Sequence, residues 1–326
     1  MSRAPNSVTV SVPARLHLGF LDLNGGLGRR FGSIGVAISG LCTRITVSRA
    51  THMQVGGPDS ARARLYVERL QEFLGLDGAY RVHIEEAVPG HAGLGSGTQL
   101  ALALAAGFRR LHGLPLDIRG DAARLGRGGR SGIGIGLFDT GGFVVDGGRG
   151  PATAAAPIIS RMPFPDAWRI VLILDPARTG VHGDDESAAF ARLPEFPAAQ
   201  AAHICRLVLM QAMPALAEAD LAGFAAAIKE MQSLLGAYFA PLQGGHPFSS
   251  PDVAAALDLL EGEGALGRGQ SSWGPTGFAF ASSREQADRL VDFARKHPRC
   301  RGLDIRVCKG LNHGADISAD AAMTNL

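Results

Sequence analysis

A short stretch with three glycines at alternate positions, placed directly before a run of helix-forming residues, constrains this chain most. It reads PGHAGLGSGTQLA over residues 89–101, with glycines at Gly93, Gly95 and Gly97. Glycine adopts positive φ readily and lets the backbone approach a ligand or another segment closely. The stretch therefore predicts a tight turn that leads into a helix.

The helix that begins in this stretch indicates an anion site. Ser96 and Thr98 are residue types that commonly cap helices, and the apolar run over residues 100–106 follows them. Free N–H groups and the positive end of the helix dipole attract phosphate at such a position. A tight turn without any ligand has the same composition, so other parts of the chain decide between the two interpretations.

Composition excludes several classes of protein. The 326 residues suffice for two domains, and a net charge of +2 gives no electrostatic case for nucleic acid binding. The four cysteines show neither a C-x-x-C pair nor zinc spacing, so we expect reduced thiols. The chain has no signal-peptide core at its start and no run of roughly 18 apolar residues that would span a membrane. We expect a cytoplasmic protein that acts on small molecules, without nucleic acid or membrane partners.

Hydrophobic periodicity indicates an α+β fold. The predicted strands cover residues 7–12, 34–38, 43–47, 80–85, 168–174, 278–281 and 302–307. The predicted helices cover residues 61–74, 117–125, 198–213, 216–239, 251–261 and 283–297, and the helix that opens after the glycine stretch takes in the run at 100–106 and ends at about 112. An Ala/Pro-rich stretch at residues 151–157 predicts a linker, which divides the chain into domains 1–155 and 156–326.

Arg15 and His17 alternate with Leu16 and Leu18, which places both polar side chains on one face of an early strand. A guanidinium and an imidazole side by side can meet an anionic ligand. Two solvated side chains on a half-exposed strand would show the same pattern.

A second glycine-dense stretch, residues 126–143, contains Arg127, Arg130 and Ser131. Arginine is a natural partner for phosphate. Asp139 in the same stretch can hold a metal or a hydroxyl, or it can be a turn aspartate. Three more acids, Asp184, Asp185 and Glu186, are either magnesium ligands or an acidic helix start.

Three small-residue motifs in this order resemble the GHMP kinase superfamily. They are Pro-Ala-Arg at residues 13–15, the glycine stretch at 89–97 with Gly97 in place of a second serine, and a Gly/Ser loop at 267–278. Residues 15–20, 130–135, 141–148 and 270–275 are similar to one branch, the β-ribofuranosylaminobenzene 5′-phosphate synthases. The resemblance covers nearly the whole chain. It implies an N-terminal domain like the second domain of ribosomal protein S5 and a ferredoxin-like C-terminal domain.

The resemblance also implies a reaction. Members of this branch condense phosphoribosyl pyrophosphate with 4-aminobenzoate, or with the close analogue 4-hydroxybenzoate, in tetrahydromethanopterin biosynthesis. Pyrophosphate and CO₂ leave and a C-riboside forms. The resemblance implies Mg²⁺ without an organic cofactor, and a homodimer.

On this resemblance we expect Arg15, His17, Arg130 and Asp139 to be catalytic, with Mg²⁺ near Ser96 and Asp139. Trp273 is expected to stack on the aromatic ring. The remaining phosphate and substrate contacts are expected from the three glycine-rich stretches at residues 89–101, 126–143 and 267–278: His91, Gly93, Gly95, Ser96, Gly97, Thr98, Ser131, Ser271, Ser272, Trp273 and Gly274.

Two alternatives stay open at this point. A GHMP-type kinase would place the phosphates of ATP in the same glycine loop. Kinases of this superfamily carry a catalytic aspartate where this chain has Gly134, and glycine cannot accept a proton. A non-catalytic relative would keep the pocket and lack the chemistry.

Overall fold

The computed structural model describes residues 5–180 and 192–320. Two long antiparallel strands, β1 (Ser7–Asp22) and β2 (Phe31–Ala50), form its centre. The sequence predicts each of them as shorter pieces. Each strand is continuous because β1 pairs with β2 along nearly its whole length, with register shifts at Pro13/Ala14 and at His17/Gly19.

The first sheet has seven strands. Its other members are β3 (Gln54–Gly56), β4 (Ala79–Glu86), β5 (Phe143–Asp146), β6 (Ile158–Met162) and β11 (Asp316–Ala319). The main order is β11-β1-β2-β4-β3, and β5 pairs with both β2 and β6. The first half of the chain also supplies helices α1 (Ser60–Leu74), α2 (Ser96–Leu111), α3 (Ile118–Arg124) and α4 (Ile133–Thr140).

The second sheet is antiparallel, in the order β10-β7-β9-β8. Its strands are β7 (Arg169–Leu174), β8 (Leu266–Gln270), β9 (Thr276–Ala281) and β10 (Asp304–Cys308). Numbered from β7, this is the order 4-1-3-2 of a ferredoxin-like sheet. The helices of this half are α5 (Ala198–Leu207), α6 (Met213–Ala217), α7 (Leu221–Phe239), α8 (Pro251–Gly262) and α9 (Arg284–Lys296).

The α+β fold class is confirmed, and local structure differs from the sequence-based expectation in two places. A π-helical turn at Val208–Ala212 interrupts the helix predicted over residues 198–213. No helix is predicted within the second glycine-dense stretch, yet its apolar residues form the buried helix α4.

The domain boundary at 155/156 stays a prediction. β6 and β11 lie beyond it in the chain and join the first sheet. A linear boundary does not capture this return, because the pairing of β11 with β1 is set by tertiary contacts.

β1 contributes to two cores, and this positions the site. Its first part, with Val8 and Val10, packs with α2 in one buried cluster. Its second part, with Leu16 and Leu18, shares another cluster with residues of the second half, including Met231 of α7. The polar face of β1 therefore lies at the junction of the two halves.

Candidate active site

The glycine stretch forms a turn with three left-handed residues. His91, Gly93 and Gly95 have φ values of 57°, 78° and 81°. Gly95 is the N-cap of α2, and no side chain caps this helix. The N-cap role that the sequence indicates for Ser96 or Thr98 is therefore wrong, and the first N–H groups of α2 have no capping side chain.

Two glycines let backbones from both halves of the chain meet. A Cβ added to Gly93 would lie 2.1 Å from the carbonyl oxygen of Ser271. A Cβ added to Gly274 would lie 2.1 Å from the carbonyl oxygen of Ala92. The loop around Gly274 thus packs directly on the glycine turn, and only glycine fits at either contact.

Arginine side chains surround the start of α2. Arg15 Nη1 donates to the carbonyl oxygen of Gly93 over 3.0 Å, and Arg62 Nη2 reaches Ser96 Oγ at 3.3 Å. A Cβ on Gly97 would lie 2.6 Å from Arg127 Nη1 and 3.2 Å from Arg62 Nη1. Three guanidinium groups therefore converge on a helix N-terminus, which suits a phosphate-bearing ligand.

A wide groove runs along the outer side of this turn. Its lining includes Asp59, Arg62, Pro89, Gly90 and His91. His91 is exposed there. Asp59 forms an ion pair with Arg62. The groove borders Arg62, whose guanidinium also reaches Ser96 at the start of α2.

His17 joins the turn to the second half of the chain. Its backbone N–H donates to Ser271 Oγ over 3.0 Å, and Ser271 Oγ donates to the carbonyl oxygen of Gly93 over 2.7 Å. The His17 side chain is 1% exposed. Burial, followed by the nearby charge of Arg15, holds the pKa of His17 well below its usual value of 6.5. The imidazole is therefore neutral at pH 7.

The remaining residues of the late loop have different surroundings. Ser272 lines a cavity beside His17, while Trp273 is 5% exposed and packs edge-on against Phe239, with ring centroids 5.0 Å apart. Phe239, rather than Trp273, lines the same cavity. The position of Trp273 does not support the expected stacking on a substrate ring.

Arg130 and Ser131 lie just before α4. Arg130 is half-buried. Ser131 Oγ lies 2.6 Å from Ser33 Oγ, and the buried carboxylate of Asp146 accepts hydrogen bonds from Ser33 and from the N–H of Gly132 at 2.9 Å. Burial raises the pKa of Asp146, against the effect of these hydrogen bonds. Ser131 is thus engaged in holding its own loop.

Comparisons with known proteins show the family of this chain. The GHMP kinases N terminal domain matches residues 62–147, and the GHMP kinases C terminal domain matches residues 212–300. A β-ribofuranosylphenol 5′-phosphate synthase of Archaeoglobus fulgidus is 35% identical and covers 94% of this chain and 97% of its own length. The synthase of the same name from Methanocaldococcus jannaschii is 31% identical, over 88% of this chain and 94% of its own.

This chain belongs to the β-ribofuranosylphenol 5′-phosphate synthase family.

Solved structures agree on the fold of this synthase. A homoserine kinase from Cytophaga hutchinsonii has a TM-score of 0.68 at 16% identity and covers 98% of this chain and 99% of its own. Mevalonate diphosphate decarboxylase from Staphylococcus aureus has a TM-score of 0.69 at 16% identity, over 96% and 98% of the two chains. At this identity the likeness shows the fold alone. No helix within residues 5–180 and 192–320 is long and apolar enough to cross a membrane.

The synthase lacks a carboxylate at the position where the superfamily's kinases carry one. A Cβ on Gly134 would lie 3.0 Å from Cγ2 of Thr98 in α2. A side chain at position 134 would have to displace Thr98 by a few tenths of an ångström. The observation weighs against the kinase alternative.

The structure does not bring Asp139 to the glycine turn. Asp139 is exposed near the end of α4 and its backbone lies against Gly314, whereas Gly134 at the start of α4 faces Thr98. Asp184, Asp185 and Glu186 lie outside the described residues. Within the described ranges, no three His, Cys, Asp or Glu side chains form a metal cluster. Because Arg62 and Arg127 lie beside Ser96 and Gly97, the described residues at the start of α2 do not fit a metal ion held there by the protein.

Several residues of the site carry no local signal in the sequence. Arg62 is one of many polar residues on the amphipathic helix α1. Gln232 and Phe239 belong to α7, which the sequence presents only as an apolar helix. The topology, rather than any motif, brings them to the site.

Proposed function

We propose that this synthase joins C1 of phosphoribosyl pyrophosphate to the ring carbon of 4-hydroxybenzoate or 4-aminobenzoate that bears the carboxylate. Pyrophosphate and CO₂ leave, and a C-riboside 5′-phosphate forms. The observation that carries the proposal is the convergence of Arg15, Arg62 and Arg127 on the N-terminus of α2. The name of the relatives, β-ribofuranosylphenol 5′-phosphate synthase, supports a C-riboside 5′-phosphate as the product.

The arginines act on the leaving group. As the C1–O bond breaks, negative charge grows on pyrophosphate and C1 becomes an oxocarbenium ion. Preorganised guanidinium and N–H donors stabilise that developing charge without reorganisation. Arg15 also braces the turn through Gly93, so it holds the donors of the turn in place.

The aromatic acid supplies the electrons. Its hydroxyl or amino group is para to the carboxylated carbon and pushes density onto that carbon. Attack on C1 forms the C–C bond, and loss of CO₂ returns an electron pair to the ring. The enzyme has to align the two substrates and keep water from C1. No covalent nucleophile on the protein is required.

Three further expectations belong to the same proposal. Magnesium enters as an ion carried by the substrate's pyrophosphate. The protein is a homodimer, which sedimentation would test. It acts in the cytoplasm, where its four cysteines, none of which forms a disulfide, stay reduced.

The test is an assay with Mg²⁺, phosphoribosyl pyrophosphate and carboxyl-labelled 4-hydroxybenzoate or 4-aminobenzoate. We expect labelled CO₂ and pyrophosphate in equal amounts. If neither acid yields CO₂ or pyrophosphate, while the folded protein still binds Mg·ATP, the proposal is refuted and a kinase is favoured.

A further inference from the structure

Helix α1 carries three polar side chains on the side that meets the start of α2. They are Asp59 at its N-cap, Arg62 and Tyr66, at a spacing of three and then four residues. Residues at this spacing share one face of a helix. In the sequence this helix is only amphipathic, and the structure gives each of the three side chains a partner at or beside the start of α2.

The ring of Tyr66 is fixed in the core between α1 and α2. Tyr66 is 7% exposed and belongs to the same buried cluster as Val67 of α1 and Leu104 of α2. A closely packed ring holds its hydroxyl at one position, and that hydroxyl commonly finds a polar partner at the edge of the core. Here the partner is Arg127, whose Nη1 donates to Tyr66 Oη over 3.1 Å.

Arg127 depends on this partner because it comes from a loop. It lies between Gly126 and Gly128, whose φ values are 69° and 83°, and its backbone N–H donates to the carbonyl oxygen of Ala122 over 2.7 Å. Within residues 5–180 and 192–320, its side chain hydrogen-bonds only to the carbonyl oxygen of Gly126 and to Tyr66. Tyr66 is therefore the partner from outside the loop that fixes the guanidinium.

The guanidinium held in this way lies beside the first turn of α2. A Cβ on Gly97 would lie 2.6 Å from Nη1 of Arg127 and 3.2 Å from Nη1 of Arg62. Asp59 forms an ion pair with Arg62 and so compensates its charge. Among the described residues no carboxylate pairs with Arg127, because its partner Tyr66 is neutral. The charge of Arg127 is therefore the one that a bound anion would neutralise.

We infer that Tyr66 is a positioning residue for the pyrophosphate group of phosphoribosyl pyrophosphate, because its neutral hydroxyl fixes Arg127 beside Gly97 and leaves the guanidinium charge for the anion. The inference rests on the proposed function. An unanchored arginine side chain loses rotamer entropy when it binds an anion, and Tyr66 removes part of this cost before the ligand arrives. A preorganised guanidinium also stabilises the charge that develops on the leaving group.

Calorimetry with inorganic pyrophosphate and Mg²⁺ tests this role without turnover. Tyr66→Phe removes one hydroxyl from a packed ring, and we expect pyrophosphate to bind about 3- to 10-fold more weakly, the scale of one hydrogen bond. Arg127→Met should weaken binding at least about 10-fold. Because Tyr66 acts through Arg127, we expect the variant with both substitutions to bind within about twofold of Arg127→Met alone.

Tyr80→Phe is the matched control. Tyr80 is 1% exposed in the same buried cluster, and its hydroxyl contacts His112 Nε2 at 3.0 Å and the carbonyl oxygen of Asp77 at 3.1 Å. This substitution should lower stability and leave the affinity for pyrophosphate unchanged. Equal weakening of pyrophosphate binding in Tyr66→Phe and Tyr80→Phe would show a general loss of packing and overturn the inference. The effects of Tyr66→Phe and Arg127→Met would also overturn it if they add in the double variant.

Turnover separates the positioning role from the proposed reaction. In Tyr66→Phe we expect the KM for phosphoribosyl pyrophosphate to rise about 3- to 10-fold and the KM for the aromatic acid to stay within about twofold of wild type. If Tyr66→Phe weakens pyrophosphate binding as expected but wild type releases no CO₂, the positioning role stands and the proposed reaction fails. If turnover is normal and Tyr66→Phe binds pyrophosphate as wild type does, or wild type does not bind it, the inference fails and the reaction stands.

Discussion

The backbone N–H of His17 donates to Oγ of Ser271 over 3.0 Å, although 254 positions separate the two residues. Ser271 in turn donates to the carbonyl oxygen of Gly93. One serine hydroxyl therefore holds together the first strand, the glycine turn and the late loop. The geometry of the site depends on this junction as much as on any residue that faces the substrate.

Removing this hydroxyl should weaken the junction. Ser271→Ala leaves the buried N–H of His17 and the carbonyl oxygen of Gly93 without their partner. We expect the free energy of unfolding to fall by about 1–3 kcal/mol, measured by denaturant titration. Ser233→Ala, on the exposed surface of α7, is the matched control and should change stability by less than about 0.5 kcal/mol. Equal stability of the two variants would contradict the role given to Ser271.

Gly97 should be needed because it leaves room for the arginine side chains, and not because its backbone conformation requires glycine. It is helical and has no positive φ, but a Cβ there meets Arg127 Nη1 at 2.6 Å. Restoring the superfamily's residue in Gly97→Ser should displace Arg127 and raise the KM for phosphoribosyl pyrophosphate about 10-fold, with little effect on the aromatic acid. A Cβ added at Gly262 meets no other atom within 4 Å, so Gly262→Ser serves as the control. An unchanged KM in Gly97→Ser would argue against a phosphate role for this contact.

Arg127 itself should contribute to phosphate binding. Arg127→Met keeps most of the side-chain volume and removes the charge. Because a hydrogen bond to a charged group contributes about 1.5–3 kcal/mol, we expect the KM for phosphoribosyl pyrophosphate to rise roughly 10- to 150-fold. Arg110→Met removes an exposed charge on α2 and should leave the KM for phosphoribosyl pyrophosphate unchanged. If both variants behave alike, the effect is one of net charge and not of the site.

The neutral state of His17 predicts a pH dependence of stability. The pKa of His17 is lowered in the folded protein by burial and by Arg15, so below pH 6.5 the unfolded chain binds a proton that the folded one does not. The free energy of unfolding should fall as pH drops below 6.5, by up to about 1.4 kcal/mol per pH unit from this residue. His17→Phe should lose this component, as denaturant titrations between pH 4.5 and 7.5 would measure. If the free energy of unfolding changes with pH in the same way in wild type and in His17→Phe, the prediction for His17 is wrong.

The sequence predicts the local features well. Alternation and helical periodicity locate most strands and helices, and the glycine stretch indicates the turn and the helix that follows it. It misses α4 because small apolar residues between glycines resemble a loop until burial is known. It misses the length of β1 and β2 because their pairing, rather than local propensity, carries them through Pro13 and Gly40.

The residues of the site are also of two kinds, those that the sequence identifies and those that only the structure brings to the site. Arg15 and Arg127 are identifiable from the sequence, because arginines beside glycine-rich stretches indicate phosphate binding. The sequence alone cannot show that Arg62 of α1 joins them, or that Asp139 lies away from the turn. Nor can it show that Trp273 is packed inside while Phe239 faces the cavity.

By itself, the sequence determined the α+β class, the glycine turn at Gly93–Gly97 and the family, because these depend on residue types at short spacing. Only the tertiary structure decided which side chains meet, that His17 is buried and uncharged, and that β11 returns to the first sheet. The physical reason is range. Backbone preferences act over a few residues, whereas burial, charge and contact depend on segments that folding brings together across hundreds of positions.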